Sequence, residues 1–248
     1  MPTSALLLIA HGTRDPRGAK EMDQLLALVR QRLDVPVGHA WLEDFVQPQG
    51  VEGARPLVGA GATELVALPL LNFAAGHAKY DIPKQVDQIQ QAFPELVIHT
   101  GEVLGPAPDL LSLAWERLDA VSPPETREDE VLVIAASGSS DPDANGELYK
   151  AARMVAEGSG HRWVEPCVAG VTWPRTEQVL QRIAAAGARR AVVFSWSLLA
   201  GVLERRIWDA VDEVSASTGL LVAKAGRFGP DPRVADAVVA RYHLTVNR

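Results

Sequence analysis

The chain has 248 residues, 47% hydrophobic and 22% charged, with a formal net charge of −7. These proportions suit a soluble globular protein and exclude a disordered one; the acidic balance argues against a nucleic-acid partner, since phosphate binding needs a basic surface. The single cysteine, Cys167, excludes an intrachain disulfide and a cysteine-built zinc site.

At the N-terminus an apolar run over residues 6–10 has no basic region before it and is too short for a signal peptide or membrane span. It reads as a first buried strand, and the expected location is the cytoplasm. Met22, Leu25, Leu26, Val29 and Leu33 then recur at helical spacing. A second strand carries His39-Ala40-Trp41-Leu42. Residues 64–71 form another near-continuous apolar run, the mark of a parallel strand covered on both faces. Ile82, Val86, Ile89 and Phe93 predict a helix, with Pro83 in the first turn, where proline is tolerated. A fourth strand over 96–99 and a closing helix over 109–118 follow. Strands near 131–136, 163–169, 191–196 and 220–223 repeat the scheme, with helices between them. This alternation predicts right-handed βαβ units and a parallel sheet.

The repetition extends to the residues themselves. Leu6-Leu7-Leu8-Ile9-Ala10-His11-Gly12-Thr13-Arg14-Asp15-Pro16 matches Leu132-Val133-Ile134-Ala135-Ala136-Ser137-Gly138-Ser139-Ser140-Asp141-Pro142 at an offset of 126. Pro48 pairs with Pro174 and Gly61-Ala62 with Gly187-Ala188 at the same offset; Gly105-Pro106 pairs with Gly229-Pro230 after small gaps. The chain is two copies of one unit. The expected fold is α/β, with two homologous lobes, residues 1–122 and 130–248, each a parallel four-stranded sheet flanked by helices, and a cleft between them. The charged, proline-bearing stretch 119–130 is expected to be an exposed linker.

Ligands of open parallel sheets bind beyond the carboxyl ends of the strands. Two first-copy segments emerge there, Ala10-His11-Gly12-Thr13-Arg14-Asp15 and Phe73-Ala74-Ala75-Gly76-His77-Ala78-Lys79-Tyr80-Asp81, each with a histidine beside a glycine that permits close approach. Neutral imidazole is a common ligand of first-row divalent metals and also accepts protons. His11 and His77 are therefore candidate metal ligands and proton acceptors. Glu43, near the end of the second strand, is a third candidate, with Asp44 as its competitor. His39, His99, His161 and His243 have no motif around them and read as structural or solvated. In the second copy Ser137 replaces His11, and His77 falls opposite Val202 or Leu203. That copy keeps the framework without the metal-type residues, as a wall of the cleft would. Arg205 and Arg206, near the counterpart of the His77 loop, are candidates to meet an anionic ligand.

Together, Ala10-His11-Gly12-Thr13-Arg14-Asp15-Pro16, Leu70-Leu71-Asn72-Phe73-Ala74-Ala75-Gly76-His77-Ala78-Lys79-Tyr80-Asp81-Ile82-Pro83, Gly105-Pro106 and Gly138-Ser139-Ser140-Asp141-Pro142 make the chain resemble the class II chelatases of the CbiX/SirB type, in their long two-lobed form. The resemblance spans nearly the whole chain. It implies insertion of Co²⁺ or Fe²⁺ into sirohydrochlorin on the routes to cobalamin or sirohaem. It assigns His11 and His77 to the metal and its protons, and places Arg14, Lys79, Arg205 and Arg206 toward the substrate's carboxylates. Ni²⁺ and Zn²⁺ suit the same ligands. No cofactor beyond the metal substrate is expected, nor an iron–sulfur cluster or metal store, since no His-rich or Cys-bearing tail precedes Arg248. With one active site per chain, the internal pseudo-dimer is expected to be a monomer, without nucleic-acid or membrane partners. The rival readings are a non-enzymatic tetrapyrrole or metal carrier and a histidine phosphatase-like hydrolase, whose Arg-His-Gly motif is only partly matched by Ala10-His11-Gly12.

Overall fold

From Ala5 to Ala10 every side chain of β1 (Ser4–Ala10) is buried, which requires cover on both faces of the sheet. The computed structural model describes residues 3–247 and places β1 centrally. It pairs in parallel with β2 (Val37–Trp41) on one side and β3 (Glu64–Leu70) on the other, and β4 (Val97–Thr100) extends the sheet beyond β3. Crossovers run through α1 (Pro16–Arg30), α2 (Gly50–Gly59) and α3 (Ile82–Ala92). The second repeat has the same topology. Its strands β5 (Glu130–Ala136), β6 (Trp163–Val168), β7 (Arg190–Ser195) and β8 (Leu221–Arg227) form a parallel sheet in the order β6-β5-β7-β8. They are joined through α5 (Pro142–Ser159), α6 (Thr176–Ala185) and α7 (Val202–Thr218).

The repeated Asp-Pro pairs start helices. Asp15 caps α1 by accepting from the Arg17 N–H, and Asp141 caps α5 by accepting from that of Asp143, each at 3.0 Å. The proline that follows lacks the N–H that a first turn leaves orphaned.

Closing helices α4 (Pro108–Asp119) and α8 (Pro232–Val246) depart from the expected division. The compact units are Met1–Ala107 with Pro230–Arg248, and Pro108–Gly229, so they do not coincide with 1–122 and 130–248. In the first unit, Leu7 and Ile9 pack with Ala54, Leu57, Ile82 and Ile89 of α2 and α3, while α1 and α8 pack together on the opposite side. Tyr242 of α8 donates to Ser4 Oγ at 3.0 Å. In the second unit, Val133 and Ala135 pack with Val179, Ile183, Ile207 and Val211 of α6 and α7, while α4 packs against α5. There the Trp115 indole donates to the Val155 carbonyl at 3.0 Å. Each repeat's last helix thus belongs to the other repeat's sheet.

The connection between the repeats is only in part the exposed linker expected of 119–130. A 3-10 turn, Pro124–Thr126, lies within it, and Ser122, Arg127 and Glu130 are buried. Each buried polar group finds partners, which is the condition for burial. The Arg127 guanidinium donates to the carbonyls of Ser122 and Ser159 and pairs with Asp119; Ser122 Oγ donates to Glu130. His161, likewise buried, has Nδ1 2.8 Å from Ser159 Oγ and Nε2 3.5 Å from Glu130 Oε2. Burial holds the His161 pKa below its ordinary value, against the raising effect of the hydrogen bond and charge of Glu130. The folded chain therefore binds this proton more weakly than the unfolded chain does. Stability from this group is fully present above about pH 6.5, the unfolded value, and is lost as the pH falls below it. Burial lowers His39 in the same direction. Denaturant midpoints at about pH 7.5 and 5.5 are expected to fall further in the wild type than in His161→Gln, which lacks this titration.

Candidate metal centre

The ends of β1, β2 and β3 deliver three side chains to one edge of the first sheet. His11 follows Ala10 directly. Backbone hydrogen bonds from Leu42 N–H to the Ala10 carbonyl (2.8 Å) and from Glu43 N–H to the His11 carbonyl (3.1 Å) prolong the β1–β2 ladder and carry Glu43 beside His11. His77 opens a π-helical turn, His77–Asp81, ahead of α3. Such turns are rare and are frequent at functional sites. The imidazoles of His11 and His77 meet edge-to-face with centroids 4.4 Å apart, and His11 Nε2 lies 3.6 Å from Glu43 Oε1. One donor atom from each of the three lies within 4.8 Å of the other two, close enough to share one metal ion.

Hydrogen bonds aim the ring nitrogens. His11 Nδ1 lies 3.1 Å from the Gly12 carbonyl and His77 Nδ1 lies 2.7 Å from Asp81 Oδ2. A carbonyl or carboxylate oxygen can only accept, so both contacts place a proton on Nδ1, and in the neutral ring it is Nε2 that carries the lone pair a metal needs. With side chains half-exposed at His11 and partly exposed at His77 and Glu43, the three groups are reachable from solvent. Asp81 was not singled out from the sequence as a functional residue. Its signal is the i,i+4 spacing from His77 in a helical segment, which places the two on one face.

Gly12 is needed here. Its φ is +107°, and a Cβ there would lie 2.9 Å from Glu43 Cβ, displacing the carboxylate. Gly76 has no such role, because a Cβ on it would meet nothing nearer than Tyr80 at 4.0 Å. The structure thus joins His11, Glu43 and His77, while Asp44 is exposed and outside the cluster. Arg14 is exposed with its guanidinium 4.5 Å from the Phe45 ring centroid, and Lys79 is exposed on the π-helical turn. Arg205 and Arg206 are exposed in the first turns of α7, in the second unit.

The second repeat carries the same framework without the histidines and the glutamate. Ala169 N–H donates to the Ala136 carbonyl and Gly170 N–H to that of Ser137, reproducing the bonds of Leu42 and Glu43. Ser137 therefore stands at the position of His11 and Gly170 at that of Glu43. A Cβ on Gly170 would lie 3.3 Å from Leu203 Cδ2, so an apolar side chain stands beside the Glu43 counterpart.

A model of the CbiX family matches residues 5–121 and again residues 131–245, once for each repeat. The chain belongs to the CbiX family. This CbiX protein is 30% identical to the sirohydrochlorin cobaltochelatase of Priestia megaterium over 235 residues, covering 93% of this chain and 76% of that one. It is 25% identical to the sirohydrochlorin ferrochelatase of Bacillus subtilis, over 97% of this chain and 91% of that one. Among solved structures, SirB from Bacillus subtilis with Fe³⁺ superposes with a TM-score of 0.85 at 25% identity, covering 98% of this chain and 95% of that one. Two parallel four-stranded sheets flanked by helices are thus the fold both of this CbiX protein and of that chelatase.

Proposed function

We propose that this CbiX protein is a sirohydrochlorin chelatase, a lyase that inserts Co²⁺ or Fe²⁺ into the tetrapyrrole, with its chemistry at His11, Glu43 and His77. The observation that carries the reading is the convergence of two Nε2 lone pairs and one carboxylate in a family whose relatives bear these activities. Three protein ligands leave further coordination positions of the metal substrate for water or for macrocycle nitrogens. Insertion exchanges one M²⁺ for two N–H protons of the macrocycle. As the metal leaves, the imidazoles and the Glu43 carboxylate regain free lone pairs and can accept those protons. Asp81 positions His77 by holding its Nδ1 proton. Arg14, Lys79, Arg205 and Arg206 are exposed cations suited to the substrate's carboxylates.

No cofactor beyond the metal substrate enters this scheme, and both cobalt and iron suit its ligands. We read the protein as a cytoplasmic monomer without nucleic-acid or membrane partners. The net charge of −7 argues against a nucleic-acid partner, and among the described residues no helix is long and apolar enough to cross a membrane.

The test follows macrocycle absorbance with purified protein, sirohydrochlorin and Co²⁺ or Fe²⁺ in turn. Insertion above the spontaneous rate supports the chelatase; tight macrocycle binding with no acceleration by either metal returns the carrier reading. In the same assay Glu43→Gln, which keeps the shape and removes the charge, is expected to slow insertion about a hundredfold, the scale of one lost proton acceptor. Unchanged turnover would remove Glu43 from the scheme.

A further inference from the structure

In the second repeat, the loop that replaces the Glu43 loop is built differently. Three residues, Val171 to Trp173, connect Gly170 to Pro174, where four, Asp44 to Gln47, connect Glu43 to Pro48. Within this shorter path Val171 has φ +67°, a left-handed conformation that a β-branched residue rarely adopts and that costs on the order of 1–3 kcal/mol. Val171 is 56% exposed, and Trp173 stands out of the loop 69% exposed. A strained residue beside an exposed indole is more than the fold of this unit requires, and strain of this kind clusters at ligand sites.

Arg175 completes the arrangement. Its guanidinium lies 5.4 Å from the centre of the Trp173 ring, and its Nη1 comes within 3.5 Å of where a Cβ on Gly170 would sit. In the first unit the equivalent position carries the Glu43 carboxylate. The second repeat has therefore lost an anion at this point and gained a cation. Among the described residues no carboxylate pairs with the Arg175 guanidinium. Arg14 over Phe45 at 4.5 Å gives the first repeat a second cation–aromatic pair at the corresponding edge, built from different positions.

From this geometry we infer that Trp173 and Arg175 form a docking platform on the second unit for a flat, carboxylate-bearing macrocycle. The indole face takes the conjugated ring plane, and the guanidinium takes a peripheral carboxylate through paired N–H donors. The repeat that lost its metal ligands thus binds the organic substrate. This inference rests on the chelatase reading and adds to it a specificity role for residues outside the metal centre.

The test titrates full-length protein with metal-free sirohydrochlorin, read by macrocycle absorbance and fluorescence, for wild type, Trp173→Ala, Arg175→Gln and Arg175→Lys. Circular dichroism checks the fold, and a titration with Co²⁺ alone checks the metal centre. The expected result is binding about tenfold weaker for Trp173→Ala and Arg175→Gln, the worth of one charge-assisted contact. Arg175→Lys should recover part of it. In turnover KM should rise by a similar factor, with kcat and Co²⁺ binding held. Wild-type affinity in both variants would overturn the platform while leaving the chelatase reading standing. A shift of oligomeric state in Trp173→Ala with unchanged macrocycle binding would also overturn it, in favour of a second copy as the occupant. Failure of the wild type to bind the macrocycle would sink the chelatase reading, and the platform with it.

Discussion

Replacing His11 or His77 by alanine is expected to reduce metal insertion to the spontaneous rate without loss of fold. On the proposed function each substitution removes one of three metal ligands and also a proton acceptor. Either loss alone is worth about a hundredfold or more. Neither side chain is in the core, so thermal stability should hold. The three residues act as a unit, and the double variant is expected to be no slower than either single one. Asp81→Asn should give a milder loss. It keeps a hydrogen-bond acceptor for His77 Nδ1 but gives up the charge that sustains Nε2 as a ligand. Rates of insertion with Co²⁺ and Fe²⁺ for this set check the expectation; a single-histidine variant that retains wild-type turnover would contradict it.

Deleting α8, to leave residues 1–229, is expected to unfold the first unit and abolish metal binding, although the metal centre lies more than 150 residues upstream of the cut. Val234, Ala235, Ala237, Val238 and Tyr242 of α8 are buried. At about 1.5–3 kcal/mol for each large side chain, their loss approaches about 5 kcal/mol or more. That is comparable with the whole stability of an ordinary domain, about 5–15 kcal/mol. The ion pairs of α8 with the rest of its unit, Arg32–Asp236 and Arg241–Glu102, each have a half-exposed carboxylate and add less than the apolar burial. If instead the repeats folded as 1–122 and 130–248, the truncation would damage only the second. Limited proteolysis of the 1–229 chain separates the two outcomes, by showing which unit is cleaved first.

The duplication, the eight strands, their parallel direction and the loops bearing His11 and His77 were all legible in the sequence. Buried parallel strands are near-continuous apolar runs, and ligands gather at strand ends for topological reasons. Which sheet each closing helix covers was not legible. Amphipathicity shows that α4 and α8 have an apolar face but not what lies against it. Nor was the burial of Ser122, Arg127 and Glu130, because composition registers their polarity and not the partners that satisfy it. Glu43 and Asp44 were equivalent in sequence. They differ because the extended β1–β2 ladder and the conformation of Gly12 seat only Glu43 beside His11. Asp81 was overlooked because it touches the cluster only through His77.

The most direct measurement of the metal centre is the location of cobalt, by anomalous diffraction from crystals of the full chain soaked in Co²⁺. One ion is expected, bound by Nε2 of His11, Nε2 of His77 and the Glu43 carboxylate, and absent from crystals of either histidine variant. An ion seated on other residues, or one still present after both histidines are removed, would contradict that expectation.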